Sequence, residues 1–241
     1  MPGIGGRTRS GGAASAGSVK GAGVAQTQRA RLETAPRAKK GFWRETGESL
    51  GVAFIIFLVI RTFAFQAFRI PTGSMEDTLL PGDFLFVNKF AYGARLPFSD
   101  FRLPGYTHPK RGDIIVFRFP RDIKQDYIKR CVGVAGDVIE VRERQLYVNG
   151  ALQQEPYVVH KDAIVYNDTR DERYVRDHFG PYKVPPGCVF MMGDNRDNSW
   201  DGRYWGPVEL RLIQGKAWLT YFSWDPDRHL PRPLRMFRII H

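Results

Sequence analysis

The chain has 241 residues, 43% of them hydrophobic, and a net charge of +11 from 36 Lys and Arg against 25 Asp and Glu. That is enough for one medium domain with a real core, plus an anchor and a tail. Two cysteines and five scattered histidines exclude a disulfide-rich framework, a CxxC metal site and any metal-ligand spacing, so neither metal nor cofactor is expected.

Residues 1–41 are rich in Gly, Ala, Ser and Arg and nearly free of large apolar side chains. Such a segment cannot bury enough apolar surface to offset its chain entropy, and disorder is expected. Residues 1–44 carry nine Lys and Arg, ending in Arg37, Lys39, Lys40 and Arg44, against the single acid Glu33. A second basic cluster, Arg228, Arg232, Arg235 and Arg238, closes the chain. Nucleic acid is one explanation for such charge. The first cluster, however, lies directly before the only long apolar run, which favours a membrane, and no nucleic-acid partner is expected. The Arg-rich, acid-poor composition also fits an organelle transit peptide, a secondary reading.

From Leu50 the chain reads LGVAFIIFLVIRTFAFQAF. A hydrocarbon core needs roughly 20 residues, and Gly47 to Phe65 supplies that length if Arg61 snorkels at the outer interface. A transmembrane helix is expected over 46–67, after a basic tail over 1–45. Cleavage as a signal peptide would need small residues after the run; Phe68-Arg69-Ile70-Pro71 offers none, so the segment is retained. Basic residues ahead of it place the N-terminus in the cytoplasm and everything past Phe68 across the membrane.

Beyond Met75 short strand-like runs follow one another: Asp83 to Lys89, Ile114 to Phe119, Asp126 to Val132, a hairpin from Asp137–Arg142 and Gln145–Asn149, then Val189 to Met192 and Lys216 to Phe222. Gly and Pro turns separate them and no long amphipathic helix intervenes, which predicts a mainly β, antiparallel body, sandwich- or barrel-like. Residues 151–183 are polar, rich in Tyr and Asp, and read as a small inserted β element between core halves 68–150 and 184–241. Cys131 and Cys188 sit in apolar surroundings and read as free, buried thiols.

Three stretches carry chemistry. Phe68-Arg69-Ile70-Pro71-Thr72-Gly73-Ser74-Met75 directly follows the apolar run: Pro71 ends any helix and Gly73 permits a sharp turn, leaving Ser74 on an irregular segment. Taken alone, a Ser in a Pro/Gly turn is ordinary turn chemistry. Lys129 lies within Asp126 to Val132, where strict alternation points either Ile128 or Lys129 inward. A solvated Lys is the bland reading. A desolvated one would lose its charge more readily and could serve as a base for a hydroxyl. Gly193 to Gly206 (GDNRDNSWDGRYWG) then crowds two Arg, three Asp, two Asn and a Ser straight after an apolar strand, more than a plain turn needs.

These pieces together resemble type I (leader) signal peptidases, the membrane-bound bacterial Ser-Lys proteases. The resemblance rests on Pro71-Thr72-Gly73-Ser74-Met75 with Thr78-Leu79, Arg111-Gly112-Asp113 leading into Val116-Phe117, Tyr127-Ile128-Lys129-Arg130 with Gly136-Asp137, and Gly193 to Arg203. It implies Ser74 as nucleophile and Lys129 as general base, with Ser199 hydrogen-bonding to Lys129 and Asp201 and Arg203 as a supporting pair. It implies an oxyanion hole from the Ser74 N–H and the Thr72 hydroxyl, Thr standing where Ser is frequent in the family. Shallow pockets are implied around Phe68, Ile70, Pro71, Met75 and Ile128, fitting small side chains at the −1 and −3 positions of a signal peptide. The resemblance also implies an inner (cytoplasmic) membrane with the catalytic body on its outer, periplasmic side, and as partners preprotein signal peptides, the lipid bilayer and, in passing, the secretion translocon. A self-cleaving Ser-Lys repressor and a non-enzymatic, membrane-anchored binding protein are the competing readings.

Overall fold

The structure is a computed structural model that describes residues 42–63, 65–93, 101, 103–171 and 173–241. It divides into two compact units, one ending at Val52 and one running from Ala53 to His241. Helix α1 (Phe42–Phe63) crosses that boundary. The basic segment 1–41 lies outside the described residues, as do the side chains at 58–65 on which the expected membrane span draws. Among the described residues no helix is long and apolar enough to cross a membrane.

The expected helix over 46–67 stops short. Phe65–Arg69 is strand β1, paired antiparallel with β2 (Asp83–Asn88) in the register Phe65↔Asn88 to Arg69↔Phe84. Pairing of Phe65-Gln66-Ala67-Phe68 with a neighbouring strand overrides its continuity with the apolar run.

Next come β3 (Ile114–Phe119), β4 (Asp122–Val134), β5 (Val138–Arg142), β6 (Gln145–Val148), β7 (Ala151–Leu152) and β8 (Phe179–Lys183). The short helix α2 (Tyr174–Asp177) precedes β8; β9 (Cys188–Met192), α3 (Gly202–Trp205), β10 (Val208–Glu209) and β11 (Ile213–Asp225) follow it. The C-terminal segment, read from sequence only as a basic tail, adds β12 (Leu230–Pro231) and β13 (Arg238–Ile239) to β11 and buries Ile240.

Two antiparallel sheets result. The larger runs β1-β2-β11-β3-β4-β9-β10 and the smaller runs β7-β6-β5-β8. The fold is therefore mainly β. The smaller sheet takes three of its strands from 138–152, so it begins before the polar stretch 151–183 and is closed by the β8 strand at its end.

Side chains of β3 alternate between two cores, as a strand's period of two requires. Ile115, Phe117 and Phe119 join Cys131, Met191 and Trp205. Ile114 and Val116 join Leu85, Val87, Ile70, Met75 and Leu79. A third cluster, Val132, Phe190 and Met192 with Ile139, Val141 and Leu146, seals the smaller sheet to the larger. Apolar layers thus cover both faces of β4 around 129–133, and every residue of that stretch is buried. This double coverage takes Lys129 out of water; alternation alone would have buried every second residue.

Candidate active site

Pro71 to Leu79 forms an irregular turn pinned at its base. Ile70 N–H donates to Asp83 O at 2.9 Å and Gly82 N–H donates to Ile70 O at 2.9 Å. Met75 and Leu79 are fully buried beneath the turn and anchor it in the core. Ser74 sits at its apex and is 7% exposed.

Opposite it, β4 presents Lys129, which is 4% exposed. Its Nζ lies 2.5 Å from Ser74 Oγ. Burial pushes the amine down from its ordinary 10.5 to about 8; the carboxylates of Asp201 and Asp194 oppose that fall and Arg203 adds to it. No carboxylate within ion-pairing distance compensates the charge among the described residues, so deprotonation relieves a desolvation penalty. The pair can move a proton from hydroxyl to amine near neutral pH.

The loop after β9 braces both partners. Asp201, 0% exposed, caps α3 by accepting from Arg203 N–H, and its carboxylate also takes Arg203 Nε at 2.9 Å and Nη2 at 2.8 Å. Burial raises the Asp201 carboxyl, but Arg203 and the Gly193 N–H outweigh it and hold the group below the ordinary carboxylate range. The remaining Arg203 donors reach the carbonyls of Arg176 at 2.6 Å and Arg196 at 2.8 Å. Asp194 binds Arg130 through two parallel bonds, 2.8 and 2.7 Å, and accepts from Thr78 Oγ1 at 2.6 Å, which joins the loop to the Ser74 turn.

Ser199 departs from expectation. Its hydroxyl is buried, leans toward Asp201 closely enough to help keep that carboxyl ionised, yet has no hydrogen bond of normal geometry to Lys129 or any other described group. It packs instead against Gly193, where a Cβ would come within 2.2 Å of Ser199 Oγ and 2.5 Å of Ser74 O.

A cleft of about 590 Å³ opens between the Ser74 turn and β4. Pro71, Thr72, Gly73 and Ser74 form one wall, Ile128 and Lys129 the other. Of the five residues expected to shape pockets, only Pro71 and Ile128 wall this cleft. Ile70 and Met75 lie buried beneath it, and Phe68 packs half-buried on the same cluster. Gln125, Asp126, Tyr127, Asn198 and Trp200 line the remainder; none was given a site role from sequence, although Tyr127 belongs to the Tyr127-Ile128-Lys129-Arg130 motif and Asn198 and Trp200 to the polar loop. Trp200 stands 51% exposed on the Tyr204 ring, 4.6 Å away. Gln125 to Tyr127 lie just before Ile128 and Lys129 on β4, and this proximity was the available signal.

Comparison with known proteins decides the family. The family described as "Signal peptidase, peptidase S26" matches residues 43–224. The chain belongs to the signal peptidase family. It is a serine peptidase of that family, and its Ser74 turn, β4 and the loop after β9 all lie within the matched residues. A signal peptidase I of Pseudomonas aeruginosa is 41% identical over 209 residues, covering 76% of this chain and 73% of that one. One of Pseudomonas fluorescens is 41% identical over 215 residues, 78% and 76% of the two chains. A solved signal peptidase I from Enterococcus faecalis V583 is 31% identical and covers 46% of this chain and 97% of its own, with a TM-score of 0.36. Around Ser74 the peptidase holds a hydroxyl, a buried amine and an open groove, the parts an acyl transfer needs.

Proposed function

We propose that this peptidase cleaves signal peptides from exported preproteins after small residues, by a Ser-Lys dyad acting through an acyl-enzyme. The observation that carries the reading is the 2.5 Å contact between Ser74 Oγ and an amine that burial depresses to about 8. Neutral Lys129 accepts the Ser74 proton as Oγ attacks the scissile carbonyl carbon. The ammonium then returns that proton to the departing amine nitrogen, leaving the N-terminal fragment esterified to Ser74. In the second half Lys129 takes a proton from water, the hydroxide equivalent attacks the ester, and Ser74 recovers its proton. Arg could not replace Lys in this cycle, because guanidinium does not release its proton.

The developing oxyanion is held by the Ser74 N–H and the Thr72 hydroxyl at the cleft wall. Pro71 and Ile128, with the buried Ile70 and Met75 as floor, favour small side chains at the −1 and −3 positions. Membrane anchoring through the N-terminal segment, with the β body on the outer side of the inner membrane, fits the basic residues ahead of the apolar run. Enzyme and signal peptide would then share one bilayer, which raises their effective concentration.

Cleavage of a synthetic preprotein in detergent tests the reading: wild type cuts, Ser74→Ala does not, and a substrate with Phe at −1 resists both. A Ser74→Ala variant that still cuts removes the dyad. Equal cleavage of the Phe substrate removes the specificity and leaves a general Ser-Lys protease.

A further inference from the structure

Ser74 N–H and Gly73 C=O belong to a single peptide group, planar and trans, so their bonds point in opposite directions. Whatever fixes the carbonyl therefore aims the N–H. Two donors meet the Gly73 oxygen: Glu76 N–H at 3.2 Å, from within the turn, and Asn195 Nδ2 at 3.1 Å, from the loop after β9. One bond alone would leave the plane free to roll about it; the second removes that freedom. Asn195 also donates its own N–H to Ser74 O at 3.2 Å, so one residue grips the peptide groups on both sides of the Ser74 α-carbon. Among the described residues the Ser74 N–H itself donates to no protein group.

Asn195 is held in turn. It is 0% exposed, and its Nδ2 also reaches Glu76 Oε2 at 3.2 Å. That carboxylate folds back over Gly73, where a Cβ would lie 2.9 Å from the Glu76 carboxyl carbon, and it pairs with Lys161 from the polar stretch 151–183. Val159 and Arg196 fasten the same stretch through Val159 N–H to Asp194 O and Arg196 N–H to Val159 O. The chain Lys161, Glu76, Asn195, Gly73 thus runs from the inserted segment to the peptide bearing the oxyanion donor.

We propose that Asn195 is a positioning residue that orients the Ser74 N–H for the oxyanion, with Glu76 and Lys161 fixing its amide. This inference rests on Ser74 being the nucleophile, and the test separates the two. Wild type, Ser74→Ala and Asn195→Leu are compared as full chains on a synthetic preprotein in detergent; Leu keeps the approximate shape, adds no charge beside Glu76 and loses the donor. A roughly tenfold to hundredfold fall in kcat is expected for Asn195→Leu, with KM and the acid limb of the pH profile unchanged, because the binding cleft and Lys129 are untouched and no charge is added. Combined with Thr72→Val, the loss should be smaller than the product of the single losses, since both changes act on one oxyanion. A rise in KM alone, a displaced acid limb, or fully multiplicative losses would overturn the proposal. If Asn195→Leu does not fold, Glu76→Gln weakens the grip on the same amide and should lower kcat by a few-fold at constant KM; unchanged kcat overturns the proposal there too. An active Ser74→Ala would instead defeat the nucleophile assignment, whatever Asn195 does.

Discussion

Two buried cations sit within one network and meet opposite fates. Arg203 and Lys129 are nearly equally inaccessible, 5% and 4% exposed. Arg203 faces the Asp201 carboxylate through two side-chain bonds and passes its other donors to two carbonyls, so its charge is reinforced. Lys129 faces a hydroxyl, and burial drives its amine down to about 8. The difference lies in the partner, since the depth is the same. Burial beside a matched carboxylate gives a rigid cross-link, whereas burial beside a neutral group gives a proton acceptor within reach of physiological pH. The first cation holds the loop that surrounds the second.

Removing Arg203 should break the comparison on its rigid side with the largest effect. Arg203→Met leaves Asp201 buried and unpaired, and on the order of 3–5 kcal/mol of stability should be lost. Urea unfolding of the detergent-solubilised chain measures it; a loss under about 1 kcal/mol would mean that the pair is not structural.

On the reactive side, Thr72→Val should lower kcat by roughly 10²–10³, or about 2.7–4 kcal/mol, while Thr72→Ser stays active. Steady-state cleavage rates decide, and a Val variant at wild-type rate would place the second oxyanion donor elsewhere.

Lys129→Met sharpens the contrast because its effects have opposite signs. Activity should vanish, yet stability should rise. The folded amine titrates near 8 against an ordinary 10.5, so between those values the unfolded chain binds more protons and stability climbs with pH. Below pH 8 the folded protein lacks that contribution. The Met variant should therefore be more stable than wild type by on the order of 3 kcal/mol below pH 8, an advantage that disappears above about 10.5. Unfolding curves at pH 6.5 and pH 10.5, each as an order-of-magnitude comparison, test this, and a Met variant less stable at both values would contradict it.

The smallest effect belongs to the rim. Lys161 is half-exposed and pairs with Glu76 at the surface, so Lys161→Ala should change stability by no more than about 1 kcal/mol. Raised salt should mimic it. A larger stability loss would show that the inserted segment holds the core.

Much of this was legible in sequence, and what was not follows from long-range contact. The runs Asp83 to Lys89 and Ile114 to Phe119 alternate or concentrate apolar residues and appear as β2 and β3 within one residue. Strand β4 starts earlier than read because Asp122, Lys124 and Gln125 are polar and Ile123 is exposed; its pairing with β3 extends it. Strand β1 was hidden inside an apolar run, and β13 is a pair of residues given strand geometry by β11 alone. Ser74 and Lys129 stood out by residue type and setting, but their contact spans 55 positions. The expected bond from Ser199 to Lys129 is absent, while Asn195, one among several polar residues in a crowded loop, reaches the Ser74 turn across 122 positions. Sequence spacing carries no information about which loop residue faces that turn.

The pH dependence of kcat/KM for preprotein cleavage tests the central claim most directly, since it reports groups of the free enzyme. An acid limb with an apparent pKa near 8 is predicted, from deprotonation of Lys129, and Lys129→Arg should be folded and inactive at every pH along it. A rate that is flat from about pH 6 to 9, or an Arg variant that retains the wild-type profile, would contradict the buried amine as base.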